Sequence, residues 1–333
     1  MEGQQKNQKA QQMIIDMHVH IAGINQRKYG NFLSDELKRS TVFKIFSKHL
    51  NIESSVIDEK FDDIIATKIL RLLDESLVNK ALFLALDAVY DYNGKLNHKK
   101  SKMICSNDYI YELTKKSKKV LFGASIHPYR DDALEELERC KNRGAVLIKW
   151  IPSSMEIDPL DQKTIPFYQY LAKHEIMLLS HTGIEHAVRN SNNHLNHPSR
   201  LQLAVDMGVK VIASHSATHM FLHERSYYKE WREMALKHEN FYGDISAFCM
   251  PTRVKYLRDI KRTPALHHKV FYGSDFPVYP LPLSLIFKIG IKKYLAIKKI
   301  ENPFDKAYHC ISASDIPQQI FSQFAQHIRK TNA

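Results

Sequence analysis

Asp16-Met17-His18-Val19-His20 closes the short apolar run Met13-Ile14-Ile15 near the start of this 333-residue chain. Side chains alternate along an extended strand, so Asp16, His18 and His20 are expected on one face. Two imidazoles so spaced can chelate one divalent ion from a single rigid element. A lone His-x-His serves equally well as a hydrogen-bonded pair at a strand end, so recurrence of the pattern is what counts. Leu178-Leu179-Ser180 runs into His181, Val211-Ile212-Ala213-Ser214 into His215, and Val270-Phe271-Tyr272-Gly273-Ser274 into Asp275. Other apolar runs end in His127, Lys149 and Asp244. Imidazole and carboxylate together suit Zn²⁺, with Mn²⁺ and Fe²⁺ as alternatives.

The elements that must position these groups alternate regularly. Apolar runs predict strands at 13–20, 81–86, 120–127, 145–150, 176–181, 209–215, 241–246 and 269–275. Between them, stretches with 3.6-residue periodicity predict helices at 61–77, 108–118, 131–142, 166–174, 198–207, 227–238 and 254–260. Pro198 near a helix start and Gly208 just past its end follow the usual asymmetry. Eight strand–helix units imply parallel pairing and closure into a (β/α)8 TIM barrel. Segments 23–55 and 87–105 read as insertions, and residues 281–333 as a C-terminal helical tail broken near Asn302-Pro303. Such a barrel presents the C-terminal ends of all its strands on one face, where each residue singled out here lies.

Bulk properties narrow the field. The apolar fraction of 44% and charged fraction of 25% are those of a globular protein. No apolar run approaches the ~20 residues that cross a bilayer, so no membrane partner is expected. Residues 1–12 are polar and read as a disordered leader without a secretory h-region, ahead of a single domain at 13–333. Cys105, Cys140, Cys249 and Cys310 are widely spaced and read as reduced thiols of a cytoplasmic protein. The formal charge of +12 invites nucleic acid, but the lysines and arginines are dispersed. Attraction of an anionic small substrate is an equally direct use of that charge.

The motifs Asp16-Met17-His18-Val19-His20, Ser180-His181-Thr182-Gly183, Ala213-Ser214-His215 and Gly273-Ser274-Asp275-Phe276-Pro277 resemble those of the amidohydrolase superfamily. The similarity is greatest to the branch typified by aminocarboxymuconate-semialdehyde decarboxylase and pyrone dicarboxylate lactonase. The resemblance implies that His18, His20, His181 and Asp275 ligate a primary metal. It implies that His215 binds a second ion or acts as a catalytic imidazole, and that Asp275 is the general base. Lys149 matches a strand position where some members carry a carboxylated lysine bridging two metals. A salt bridge or a substrate anchor are its plainer readings. His127, Trp150, Arg189 and Phe276 are expected to touch substrate. Asp16 and Asp244 are expected to orient the ligands.

The implied reaction is attack of a metal-bound hydroxide on a C–N, C–O ester or lactone bond of a small molecule. Decarboxylation of a small aromatic or enol acid would use the same ligands. A TatD-type nuclease is disfavoured, because that family has a glutamate where Lys149 stands. An inactive binding barrel is disfavoured by the full set of metal-type side chains. One ion or two, and a homodimer, stay open.

Overall fold

The computed structural model describes residues 13–328 except 41–42, 45, 48–49, 51, 53–59 and 187–191. Among the described residues ten strands occur in chain order: β1 (Ile15–His20), β2 (Phe32–Leu33), β3 (Lys80–Leu84), β4 (Met103–Ile104), β5 (Val120–Ala124), β6 (Ala145–Trp150), β7 (Met177–Ser180), β8 (Val211–Ala213), β9 (Phe241–Asp244) and β10 (Val270–Phe271). Eight of them form one parallel sheet in the order β1-β3-β5-β6-β7-β8-β9-β10. Backbone bonds close the ring from β10 to β1: Met17 N–H donates to Tyr272 O at 3.0 Å, and His20 N–H to Phe276 O at 2.7 Å. The expected TIM barrel is therefore present, with all eight predicted strands in sequence order.

The helices sit where the periodicity places them, at Phe61–Asp74, Asn107–Lys116, Ala133–Asn142, Ile165–Lys173, Gln202–Asp206, Tyr228–Lys237 and Leu257–Arg262. Their apolar stripes pack against the outward side chains of the strands in one large core that includes Ile69, Tyr109, Leu137, Trp150, Phe167 and Trp231. A smaller core fills the barrel, with Ile15, Met17, Leu82, Leu84, Met177, Leu179, Ile212 and Phe271. The tail supplies its plug. Phe324 and Ile328 join that inner cluster, and the Phe324 ring meets Phe271 edge-on with centroids 5.4 Å apart. The two insertions meet as well: β2 and β4 pair antiparallel, Phe32 opposite Ile104. The leader expected at 1–12 lies outside the described residues.

The structure corrects the reading of β1. Its register against β3 shifts by one residue between Asp16 and Val19. Such a bulge breaks the two-residue alternation. Asp16 therefore does not join the imidazoles. Its Oδ1 accepts the backbone N–H groups of His18 at 3.2 Å and Ser274 at 2.8 Å, which ties the end of β1 to the segment carrying Asp275.

Candidate metal centre

His18 and His20 come together above the bulge with their Nε2 atoms 3.0 Å apart. Asp275 Oδ1 lies 3.6 Å from His18 Nε2 and 3.7 Å from His20 Nε2. These three residues offer ligand atoms all within 4.8 Å of one another. The donor set fits a divalent ion. Burial drives the pKa of His20 well below 6.5, so its ring is neutral at neutral pH. His18 Nδ1 is 2.8 Å from Asp244 Oδ2. An N–H there donates to the carboxylate, which in a neutral ring puts the lone pair on Nε2, facing His20.

A second group, His18, His215 and Asp244, also has ligand atoms within 4.8 Å of one another. Hydrogen bonds already occupy it. Asp244 Oδ1 accepts His215 N–H at 2.8 Å, Ser246 N–H at 3.0 Å and the Ser246 hydroxyl. The Ser246 oxygen lies 2.7 Å from His215 Nδ1. Burial alone would raise the Asp244 pKa, but attraction to His18 and the bonds from His18 and Ser246 outweigh it and hold the group at about 2. Asp244 thus bonds both the ring of His18 and the backbone N–H of His215.

The strand ends reach this geometry through strained backbone. His215, Ser216 and Ala217 have φ of 57°, 46° and 54°, and Asp275 has φ 63°. Non-glycine residues pay for such conformations, and they persist where surrounding bonds fix them. Here Ser216 Oγ donates to Asp244 O at 2.8 Å, and Asp275 N–H to His18 O at 2.9 Å. Gly273 is required by close approach, because a Cβ there would lie 2.7 Å from the Cβ of His18.

Around the centre, burial raises the pKa of Asp275, only partly opposed by His18 and Arg253. His215 Nδ1 stands 3.8 Å from Asp275 Oδ2. The His181 ring meets that of His215 edge-on at 5.2 Å. Burial lowers the His181 pKa to about 4. Its buried Nε2 has no hydrogen-bond partner among the described residues, an unsatisfied polar atom of the kind a metal or ligand satisfies. Lys149 points into the barrel, 1% exposed, with Nζ 2.9 Å from Ser214 Oγ and 3.5 Å from His18 Nε2.

Burial lowers the Lys149 pKa from 10.5 to about 8, despite the pull of Asp244, Asp275 and Glu185. Below pH 8 the folded and unfolded chains both carry the proton, so the metal-free protein bears the full penalty there. The gap corresponds to about 3 kcal/mol. The penalty is relieved as pH rises from about 8 to 10.5, where only the unfolded chain still binds the proton. Lys149→Met is therefore expected to stabilise the metal-free protein at pH 7. Urea unfolding curves at pH 7 and 10.5 should show that advantage shrinking with pH.

Four residues expected to touch substrate fare differently. His127 is sealed into the loops: Nε2 lies 2.8 Å from Met155 O and Nδ1 accepts Tyr129 N–H at 3.1 Å, so neither ring nitrogen is left for a substrate. Trp150 faces the helix layer, against Phe167 at 5.2 Å and Tyr168 at 5.8 Å, with Nε1 donating to Ile126 O. The pleat explains this, since Lys149 points inward and its neighbour must point outward. Phe276 is buried and stacks on Phe304 at 5.0 Å. Arg189 lies outside the described residues.

Two groups at the centre were not anticipated. Glu185 Oε2 is 3.6 Å from His181 Nε2, one helical-turn spacing along the loop. Arg253 is 3% exposed, with Nη1 3.9 Å from Asp275 Oδ2. Its bonds to the carbonyls of His219 and Ser246 are both long, at 3.4 Å. The Glu185 spacing from His181 was a readable signal, whereas Arg253 sits in a loop with no periodic pattern.

The fold is a TIM barrel whose strand ends gather His and Asp side chains able to hold a metal. A family model described as amidohydrolase matches residues 15–296, and the chain belongs to that family. No curated protein matches it by sequence. Among solved structures it is similar to an uncharacterised TIM-barrel protein from Bordetella bronchiseptica, at 12% identity and TM-score 0.58 over 91% of this chain and 99% of that one. It is also similar to a protein from Pseudomonas putida described as a 2-pyrone-4,6-dicarboxylic acid hydrolase, at 10% identity and TM-score 0.56 over 96% and 98%. A third is 4-oxalomesaconate hydratase from Rhodopseudomonas palustris, at 18% identity and TM-score 0.51 over 96% and 97%. At these identities the likeness speaks for the fold.

Proposed function

We propose that this protein is a divalent-metal-dependent hydrolase of a small anionic ester, lactone or amide, with Asp275 as general base. The observation that carries the reading is the close group of His18, His20 and Asp275. These residues would hold the ion, Zn²⁺ foremost, with His181 beside them. A bound ion supplies Lewis acidity to water and to a substrate carbonyl. Asp275 takes the proton from the attacking water. Asp244 keeps His18 in the tautomer the site needs. In the two-ion form of the proposal Lys149 is carboxylated, which its lowered pKa eases. One molecule of CO2 in the native mass spectrum separates that form from the free amine.

Arg253 supports an acidic substrate. A buried guanidinium with only long contacts can receive a carboxylate in a two-pronged bond. The same group favours decarboxylation of an acid as the second reading. A panel of lactones, esters, amides and aromatic acids, assayed with added Zn²⁺ or Mn²⁺, decides between them. Acid release without CO2 is expected; CO2 release from an acid would establish decarboxylation instead. On a carboxylated substrate, Arg253→Met should raise KM about 10- to 100-fold, with a smaller change in kcat. An unchanged KM would remove Arg253 from substrate binding.

A further inference from the structure

Exposed apolar side chains gather on the stretch of chain that follows the metal centre. Leu281, Leu283, Phe287, Ile291 and Leu295 are all exposed, Phe287 at 101% of its reference value. They lie on the turn Pro282–Leu285 and the helix Ile286–Lys298, which is interrupted at Gly290 with φ 79°. This stretch borders the mouth of the barrel. Ser284 Oγ donates to Cys249 O, and Lys288 Nζ to Val254 O, so both grip the loop that carries Arg253. The same loop is tied to a second apolar tip. Thr252 Oγ1 donates to His219 O and Met220 O, next to exposed Phe221 and Leu222.

Charge indicates what covers this surface. Residues 276–300 contain five lysines, Lys288, Lys292, Lys293, Lys298 and Lys299, and no Asp, Glu, Arg or His. The last four of these lysines are exposed. Lysine is depleted from protein–protein contacts. A second copy docked by two-fold symmetry would set this acid-free stretch against itself, bringing like charges together. An anionic bilayer surface accepts both features at once. Phe, Ile and Leu enter the boundary between headgroups and acyl chains while ammonium groups remain among the phosphates. The formal charge of +12 adds attraction at longer range.

We infer that this face docks on an anionic phospholipid surface with the mouth of the barrel beside it. It lies on the membrane and does not cross it, since no helix among the described residues is long and apolar enough to span one. The inference is independent of the reaction proposed above.

The test is sedimentation of the full-length protein with vesicles of phosphatidylcholine alone and with vesicles containing about 30% phosphatidylglycerol. Binding to the anionic vesicles is expected, weakening as salt rises from about 0.1 to about 0.5 M. Lys292→Glu with Lys293→Glu should reduce partitioning about 25-fold or more, at about fivefold per lysine. Phe287→Ser with Ile291→Ser should abolish it. These positions are at the surface, and circular dichroism verifies that each variant is folded. Equal binding to both vesicle types, no binding to either, or unaltered binding by both variants overturns the inference. So does a dimer by light scattering that Phe287→Ser converts to monomer, which assigns the face to a second copy.

Discussion

Asp275→Asn is expected to lower kcat about 10³-fold while the protein stays folded. The expectation follows from how the carboxylate is held. Its oxygens lie 3.6 to 3.9 Å from His18, His20, His215 and Arg253, distances too long for strong hydrogen bonds. Backbone bonds fix its position instead, Asp275 N–H to His18 O and Val278 N–H to Asp275 O. An amide of the same shape keeps those bonds but loses the charge, with it part of the hold on the ion, and the capacity to take a proton. Because burial raises the pKa of Asp275, neutralising it should cost the metal-free fold little. The measurement is kcat on whichever member of the panel is turned over, with metal content determined on the same samples. A variant that retains its ion and turns over within about tenfold of the parent would exclude Asp275 as the base.

The barrel was legible because each strand is a short apolar run bounded by Pro, Gly or charge, and such runs alternate with helical periodicity. The site was legible because a barrel of this kind gathers strand ends, so residue type and strand position together are informative. Side-chain direction was less so. Parallel strands are buried on both faces and read as unbroken apolar runs, so Ala145-Val146-Leu147-Ile148 does not reveal which way Trp150 turns. Lys149 held the missing sign: once a lysine is taken to face the interior, alternation sends Trp150 to the helix layer. The displacement of Asp16 by the bulge had no such marker.

Residues on loops were harder still. His127 follows β5 by three residues, and the backbone of Tyr129 and Met155 captures its ring. Arg253 reaches Asp275 from a turn after β9, and nothing in its neighbours distinguishes it from other arginines. Arg130, also on a loop that follows a strand, is taken by Asp87 at 3.1 Å and Asp132 at 2.7 Å. What separates the two arginines is the number of carboxylates within reach of each, a property of tertiary structure alone.

His18→Ala should weaken metal binding by more than about 100-fold, beyond what loss of an orienting partner does. His18 is the point where the two layers of the site join. Its Nε2 faces His20, Asp275 and Lys149, and its Nδ1 meets Asp244. Removing the ring deletes a ligand and also strips Asp244 of the charge-assisted bond that helps hold its pKa at about 2. Leaving that buried oxygen unpaired costs about 1–3 kcal/mol in the metal-free protein. Asp244→Asn provides the comparison. It keeps the ligand and disturbs only its orientation, so affinity should fall about 10- to 100-fold. Chelator competition gives the affinities and urea unfolding gives the stabilities. If His18→Ala bound Zn²⁺ as tightly as the parent, the ion would have to be held elsewhere. If Asp244→Asn weakened binding more than His18→Ala, the ligand group would be the one formed by His18, His215 and Asp244, and their roles would exchange.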